Sequence, residues 1–359
     1  MMKLDKTSPI KSYQVHVEIQ HFPLKSVFRI ARGAKTQADV IVVTITDGEY
    51  IGWAESVPYA RYGESVSSVK NALLEIVALT LSKEKLSDDN IESVIQSLPA
   101  GAARNALDCA FWDLKAKQSN SSVHELLSLS AAQPCITAQT LSIDTPEAMA
   151  KAAQLLENPP LMKVKLDNEN IIEKMTAIHQ AAPFSQFIVD ANEGWSLQDL
   201  QECCPTLKKL NVVLIEQPLP ANNDQQLIDY QSPVPLCADE SCHTRKELDY
   251  LLGRYQVINI KLDKTGGLTE AVALLKEAKQ KGFDVMLGCM VGSSLAMAPA
   301  SLMVNEAKFI DLDGPLLIAQ DRVLGFKFDG GIMQPLNSYF WGDCSDVNYY
   351  EAKALVSNS

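Results

Sequence analysis

Two textures of apolar and polar positions divide the 359-residue chain. Residues 12–20, 38–46 and 50–55 alternate as strands with one buried face do, and Asp47-Gly48 marks a hairpin turn between the last two. A loop, 21–37, separates the first pair and carries Lys25, Arg29, Arg32 and Lys35; a second loop, 57–65, follows the third strand. From about Ser68 to Lys117 apolar residues recur at three and four, ending in Ala103-Arg-Asn-Ala-Leu-Asp-Cys-Ala-Phe-Trp-Asp-Leu114, which predicts helices.

From Ile136 short apolar runs alternate with helical stretches. Candidate strands are 136–142, 161–166, 186–191, 212–217, 235–239, 256–262, 283–289 and 308–312, and their starts fall 21 to 27 residues apart. Thr145-Pro146, Ser196 and Thr244 stand where helix N-caps are needed. Eight strands and seven helical stretches predict an α/β fold, a modified TIM barrel (β/α)7β, with an α+β capping domain before it. The expected division is a cap with substrate-closing loops at 1–125, the barrel at 126–320, and a C-terminal segment at 321–359 that returns to the cap.

A net charge of −12 argues against a nucleic-acid partner, which needs a basic surface. No apolar run is long enough to span a membrane, and the polar start MMKLDKTSPIKSYQV has no signal-like core, so a cytoplasmic protein is expected. Eight cysteines without C-x-x-C pairs read as reduced thiols, with Cys203 and Cys204 on a helix and Cys237 and Cys289 in buried strands.

The candidate chemistry starts at Leu161-Met-Lys-Val-Lys-Leu166. Side chains alternate along a strand, so Met162, Val164 and Leu166 share one face, and Lys163 and Lys165 the other. Two neighbouring buried ammoniums need anions opposite them. Three consecutive strands supply these by ending in a carboxylate after an apolar run: Asp190, Glu216 and Asp239. Barrel enzymes place their chemistry at such strand ends. Three converging carboxylates need a cation, and hard oxygen ligands suit Mg2+. The sixth strand then brings Lys261 to the opposite side of the barrel from Lys165, so two lysines can approach one carbon from opposite faces. Burial, the metal and the second ammonium are expected to lower the pKa of such a base. Lys264, just past that strand, competes with Lys261 for the role, and Lys261 is preferred because it sits on the strand. His243 is read as a loop residue.

Lysine-x-lysine on the second strand, Asp, Glu and Asp on the next three, and lysine on the sixth resemble the enolase superfamily, specifically its muconate-lactonizing subgroup, where a Lys base working with Mg2+ is a known device. The resemblance runs over nearly the whole chain, including the cap and the helix ending Ala110-Phe-Trp-Asp-Leu114. Within the subgroup the chain looks most like the dipeptide epimerases, closely those acting on L-Ala-D/L-Glu in bacterial peptidoglycan recycling. The resemblance implies 1,1-proton transfer by Lys165 and Lys261, and Lys163 polarising the substrate carboxylate. It further implies Asp311 and Asp313 binding the dipeptide ammonium, and Arg32, or less favourably Arg29, receiving the glutamate side chain. The expected partner is a small dipeptide, with homo-oligomer formation left open. The alternative within the same architecture is an o-succinylbenzoate synthase, N-acylamino acid racemase or cycloisomerase, which needs no ammonium partner. A catalytically inactive binding protein is disfavoured, since no ligand of the set is missing.

Overall fold

The computed structural model describes residues 12–81 and 86–343. Three antiparallel strands open the chain: β1 (Gln14–Ile30), β2 (Gly33–Thr46) and β3 (Ile51–Ser56), in that order in the sheet. The stretch expected as a loop at 21–37 is instead a continuation of β1 and β2 as a two-stranded arm, with an irregularity between Pro23 and Phe28. Its side chains are mostly exposed, so no buried face printed an alternation into the sequence. Against the sheet pack α1 (Val66–Leu81) and α3 (Ala102–Ser119), and α2 (Ile91–Ser97) packs on α3. Contact between α3 and β3 is close: a Cβ on Gly52 would lie 2.1 Å from the Ala110 carbonyl, so only glycine fits. A short α4 (Val123–Leu126), capped by Ser122 and Glu125, leads out of the cap.

The repeat begins after β4 (Cys135–Ile136). It comprises β5 (Gln139–Leu141), α5 (Pro146–Leu155), β6 (Leu161–Lys165), α6 (Ile171–Ala181), β7 (Gln186–Asp190), α7 (Leu197–Lys209), β8 (Val212–Glu216) and β9 (Leu236–Ala238). It continues with α8 (Leu248–Leu251), β10 (Val257–Ile260), α9 (Leu262–Thr265), α10 (Leu268–Gln280), β11 (Asp284–Leu287), α11 (Ser294–Ser301) and β12 (Phe309–Ile310). All eight strands β5 to β12 are parallel and neighbour one another in chain order. The sheet curls until its ends meet: the Ala138 N–H donates to the Ile310 carbonyl at 2.8 Å, and Leu312 N–H to Thr137 Oγ1 at 3.0 Å. Thr145 and Ser196 cap α5 and α7 through their side chains, and Thr244 caps the short 3-10 turn before α8.

Two expectations shift. Only Gln139–Leu141 of the 136–142 run belongs to the barrel, because Cys135–Ile136 pairs antiparallel with β14 (Ile332–Met333), itself paired with β13 (Phe328–Asp329). Between β8 and β9 the expected helix is a 3-10 segment, Asp224–Asp229; Pro218, Pro220, Pro233 and Pro235 leave too little uninterrupted chain for an α-helix. After β12 come α12 (Gly314–Leu317) and the β13–β14 hairpin, and the chain then reaches the cap, where Trp341 Nε1 donates to the Trp53 carbonyl at 2.9 Å.

The seven described cysteines are free thiols; Cys203 and Cys204 lie on α7 and Cys237 on β9, whereas Cys289 falls just past β11. Among the described residues no helix is long and apolar enough to cross a membrane.

Candidate active site

Period-two alternation stacks the barrel interior in layers. The lowest is apolar: Ala138, Leu161, Ile188, Leu214, Cys237, Val257 and Met286 form one buried cluster. Two residues further along each strand the inward positions turn polar, giving Thr140, Lys163, Asp190, Glu216, Asp239, Asn259, Gly288 and Asp311. Another step up stand Lys165, Asn192, Lys261, Met290 and Asp313. Gly288 has no room for a side chain, since its Cβ would lie 2.5 Å from Asn259. The outward face of β6, Met162 and Val164, packs on the helical shell with Leu166 beyond it, all fully buried.

The polar layer is almost sealed from water, and its charges meet. Lys163 Nζ lies 2.7 Å from Glu216, 3.1 Å from Asp190 and 2.8 Å from Asp311. Lys165 reaches Asp190 at 2.5 Å, and Lys261 reaches Asp239 at 2.6 Å. Asn259 donates to Glu216 at 2.8 Å. Lys264 is not aimed at the cavity; its ammonium is buried on the Asp239 carboxylate and on the carbonyls of Asp239 and Asn259.

These contacts set the titration. Burial and Asp190 push Glu216 upward. Burial would raise Asp190 and Asp239 too, but Lys165 and Lys163 hold the first low, and Lys261 with Lys264 the second. Burial lowers Lys163 and Lys261, yet the facing carboxylates outweigh it and raise both. Burial and the Asp311 charge lift Asp313 to about 7. His243, lowered to about 4 by burial and Lys264, is neutral and stacks edge-on against Tyr62.

The donor chemistry suits a hard divalent cation. Asp190, Glu216 and Asp239 come from three adjacent strands and set three buried carboxylates side by side; Glu216 Oε2 and Asp239 Oδ1 make no well-aligned hydrogen bond, and each lies 2.7 Å from an ammonium, of Lys163 and of Lys264. Lysine ammoniums stand among the three, Lys163 between Asp190 and Glu216, and Lys261 and Lys264 on Asp239.

Above these layers a cavity of about 450 Å³ opens towards the cap. Lys163, Lys165, Lys261, Asp239, Asp311, Asp313 and Arg32 all line it; Arg29 does not, and pairs with Asp144 at the surface. Arg32 stands at the tip of the β1–β2 arm, where Glu240 at 2.7 Å and Glu193 at 3.1 Å hold it. Lys35, three residues on, also lines the cavity, and its ammonium lies 5.6 Å from the Tyr59 ring; among the described residues no carboxylate is at ion-pair distance from it. Asn192 and Asn259 follow from carrying the strand alternation one step further. Glu240 sits beside Asp239 in the sequence and carried no other mark; burial and Asp239 raise it to about 7.

A family model described as "Enolase C-terminal domain-like" matches residues 147–319, and one described as "Mandelate racemase / muconate lactonizing enzyme, N-terminal domain" matches 12–128. The chain belongs to the enolase superfamily. An N-acetyl-D-glutamate racemase from Pseudoalteromonas sp is 59% identical over 303 residues, 84% of this chain and 95% of its own. The L-Ala-D/L-Glu epimerase of Escherichia coli K12 is 46% identical over 319 residues, 88% of this chain and 98% of its own. A crystal structure of an Agrobacterium tumefaciens enolase family member, homologous to dipeptide epimerases and bound to sodium and L-Ala-L-Glu, superposes with a TM-score of 0.87 at 41% identity, covering 92% of this chain and all of that one. A dipeptide epimerase from Enterococcus faecalis, complexed with Mg and L-Leu-L-Tyr, gives 0.83 at 27% identity, covering 90% and 97%. The relatives it matches over most of its length are racemases and epimerases, and the chain is an isomerase.

Proposed function

We propose that this isomerase is a Mg2+-dependent dipeptide epimerase acting on the α-carbon of the glutamate in L-Ala-D/L-Glu, the reaction that serves murein peptide recycling. The observation that carries the reading is the placement of Lys165 and Lys261: they stand four strands apart in the same layer of one cavity, with Asp190, Glu216 and Asp239 between them. One lysine, as a free amine, takes the α-proton; the electron pair left behind spreads into the substrate carboxylate, and the other lysine's ammonium returns a proton to the opposite face. Epimerisation thus leaves the two lysines with exchanged protonation states. By resemblance Lys165 serves the L-isomer and Lys261 the D-isomer. Lys163 faces the same carboxylate. Asp190, Glu216 and Asp239 would hold the metal, which when bound supplies positive charge against the carboxylate's developing negative charge.

Asp311 and Asp313 sit where a free ammonium would be received. For the glutamate side chain we assign Lys35 in preference to Arg32, because Arg32 already has two carboxylate partners. A second reading, racemisation of N-acetylglutamate, is favoured by the 59% identical relative. It is also favoured by the amine end of the cavity, where Lys163 neutralises Asp311 and Asp313 is lifted to about 7.

Incubation with L-Ala-L-Glu and Mg2+ in D2O should place deuterium at the glutamate α-carbon and accumulate L-Ala-D-Glu; N-acetyl-L-glutamate run in parallel ranks the two readings by kcat/KM. No incorporation into either would overturn both.

A further inference from the structure

The left-handed residues after β7 give the cap something to hold. Asn192 and Glu193 have φ of 45° and 68°, and they turn the chain so that the Glu193 side chain points along the rim of the barrel mouth. Both cap loops reach it. From the β1–β2 arm, Arg32 Nη1 donates to Glu193 Oε2 at 3.1 Å and to the Asn192 carbonyl at 2.6 Å. From the 57–65 loop, Arg61 binds the same carboxylate with both prongs of its guanidinium, at 2.6 and 2.7 Å. The barrel side completes the arrangement: Ala221 N–H donates to Glu193 Oε1 at 2.9 Å, and Gly194 lies against Ala31 at the arm's tip, leaving a Cβ there only 3.5 Å from the Ala31 methyl. The Glu193 side chain is 8% exposed, although both arginines are partly open to solvent. A nearly desolvated carboxylate shared by two guanidiniums makes short, charge-assisted bonds, stronger than ordinary surface ion pairs.

We infer that Glu193 is a positioning residue that couples the two cap loops, so that they close on the substrate as one unit. Its reach extends to Lys35 and Tyr59: Arg32 Nη2 donates to the Tyr59 hydroxyl at 3.0 Å, and the Lys35 ammonium rests near the Tyr59 ring. Loosening Glu193 therefore displaces the cation that meets the glutamate side chain, while the lysines and carboxylates deep in the barrel are untouched. This inference rests on the epimerase reading for its kinetic part alone.

The test is Glu193→Gln, compared with Arg32→Gln and Arg61→Gln. In amide hydrogen exchange, E193Q should speed exchange in both 24–37 and 57–64, R32Q mainly in the first segment and more weakly in the second through its lost Tyr59 bond, and R61Q in the second alone, with barrel strands unchanged. With L-Ala-L-Glu, E193Q should raise KM about tenfold, the loss of one good charged contact, and leave kcat within about twofold. Unchanged exchange in both segments, or acceleration of one alone in E193Q, would overturn the coupling whatever substrate the enzyme takes. A fall in kcat with KM unchanged would move Glu193 from positioning the loops to acting on the chemical step. Should E193Q fail to fold, the R32Q/R61Q double variant is expected to depart from the sum of its singles in exchange, as partners of one shared carboxylate do, and strict additivity would overturn the shared anchor.

Discussion

Lys163 Nζ and Asp311 Oδ2 lie 2.8 Å apart in a nearly sealed part of the barrel, an ion pair that joins the second strand to the end of the eighth. One cation thereby offsets Asp190 and Glu216 together with Asp311. Removing Lys163 takes the shared cation from three buried carboxylates, which costs about 3–5 kcal/mol in comparable cases, whereas removing Asp311 leaves Lys163 paired with Asp190 and Glu216.

Asp311→Asn separates the two substrate readings. The amide retains the shape but not the charge that an incoming ammonium needs. For L-Ala-L-Glu, KM should rise at least about tenfold, one charged hydrogen bond's worth, while N-acetyl-L-glutamate, which has no ammonium, should change by less than about threefold. Steady-state kinetics on both substrates checks this, and equal losses on the two would remove Asp311 from ammonium recognition.

Lys165→Met and Lys261→Met should each lower epimerisation by about 10²–10⁴-fold, the usual contribution of a positioned acid or base. Each variant should also lose α-proton exchange with solvent for one isomer while keeping it for the other. Proton NMR of L-Ala-L-Glu and L-Ala-D-Glu in D2O reads both outcomes; retention of exchange for both isomers in either variant would place the base elsewhere.

Lys35→Met tests the side-chain site. Its ammonium is the cavity cation with no carboxylate at ion-pair distance among the described residues, so its loss should raise KM for acidic dipeptides about tenfold. Dipeptides ending in an apolar residue should lose nothing or improve. Arg32→Gln is expected to act less selectively, because Arg32 is tied to Glu193 and Glu240.

The seam between cap and barrel carries a pH dependence of stability. Asp263 accepts from Val57 N–H at 3.0 Å and from Asn105 at 2.8 Å, and burial, which outweighs these bonds, raises its pKa from 3.8 to about 7. The folded state therefore keeps a proton that the unfolded chain has already released, and stability falls as pH rises through that window, at about 1.4 kcal/mol per unit of pKa difference. Asp263→Asn keeps the accepting oxygen and removes the titration. Its melting temperature should decline less steeply between pH 5 and 8 than that of the wild type; an unaltered slope would show that Asp263 does not titrate there.

Local sequence determined the barrel and the polar residues that face its interior. A 21–27 residue spacing sets one strand and one helix per repeat, and period-two alternation along each strand commits Lys163, Asp190, Glu216, Asp239 and Asp311 to the interior before any packing is known. The caps at Thr145 and Ser196 were equally local. Tertiary structure decided what depends on partners far along the chain. Whether 21–37 is loop or arm was hidden because an exposed two-stranded ribbon buries no face. Cys135–Ile136 joined a hairpin nearly two hundred residues away instead of the barrel. Two cations three positions apart look alike in sequence, yet Arg32 is neutralised by Glu193 and Glu240 whereas Lys35 is left facing the cavity. The shift of a buried lysine was the hardest to foresee: burial alone lowers it, and only the distances to the surrounding carboxylates turn Lys163 and Lys261 the other way.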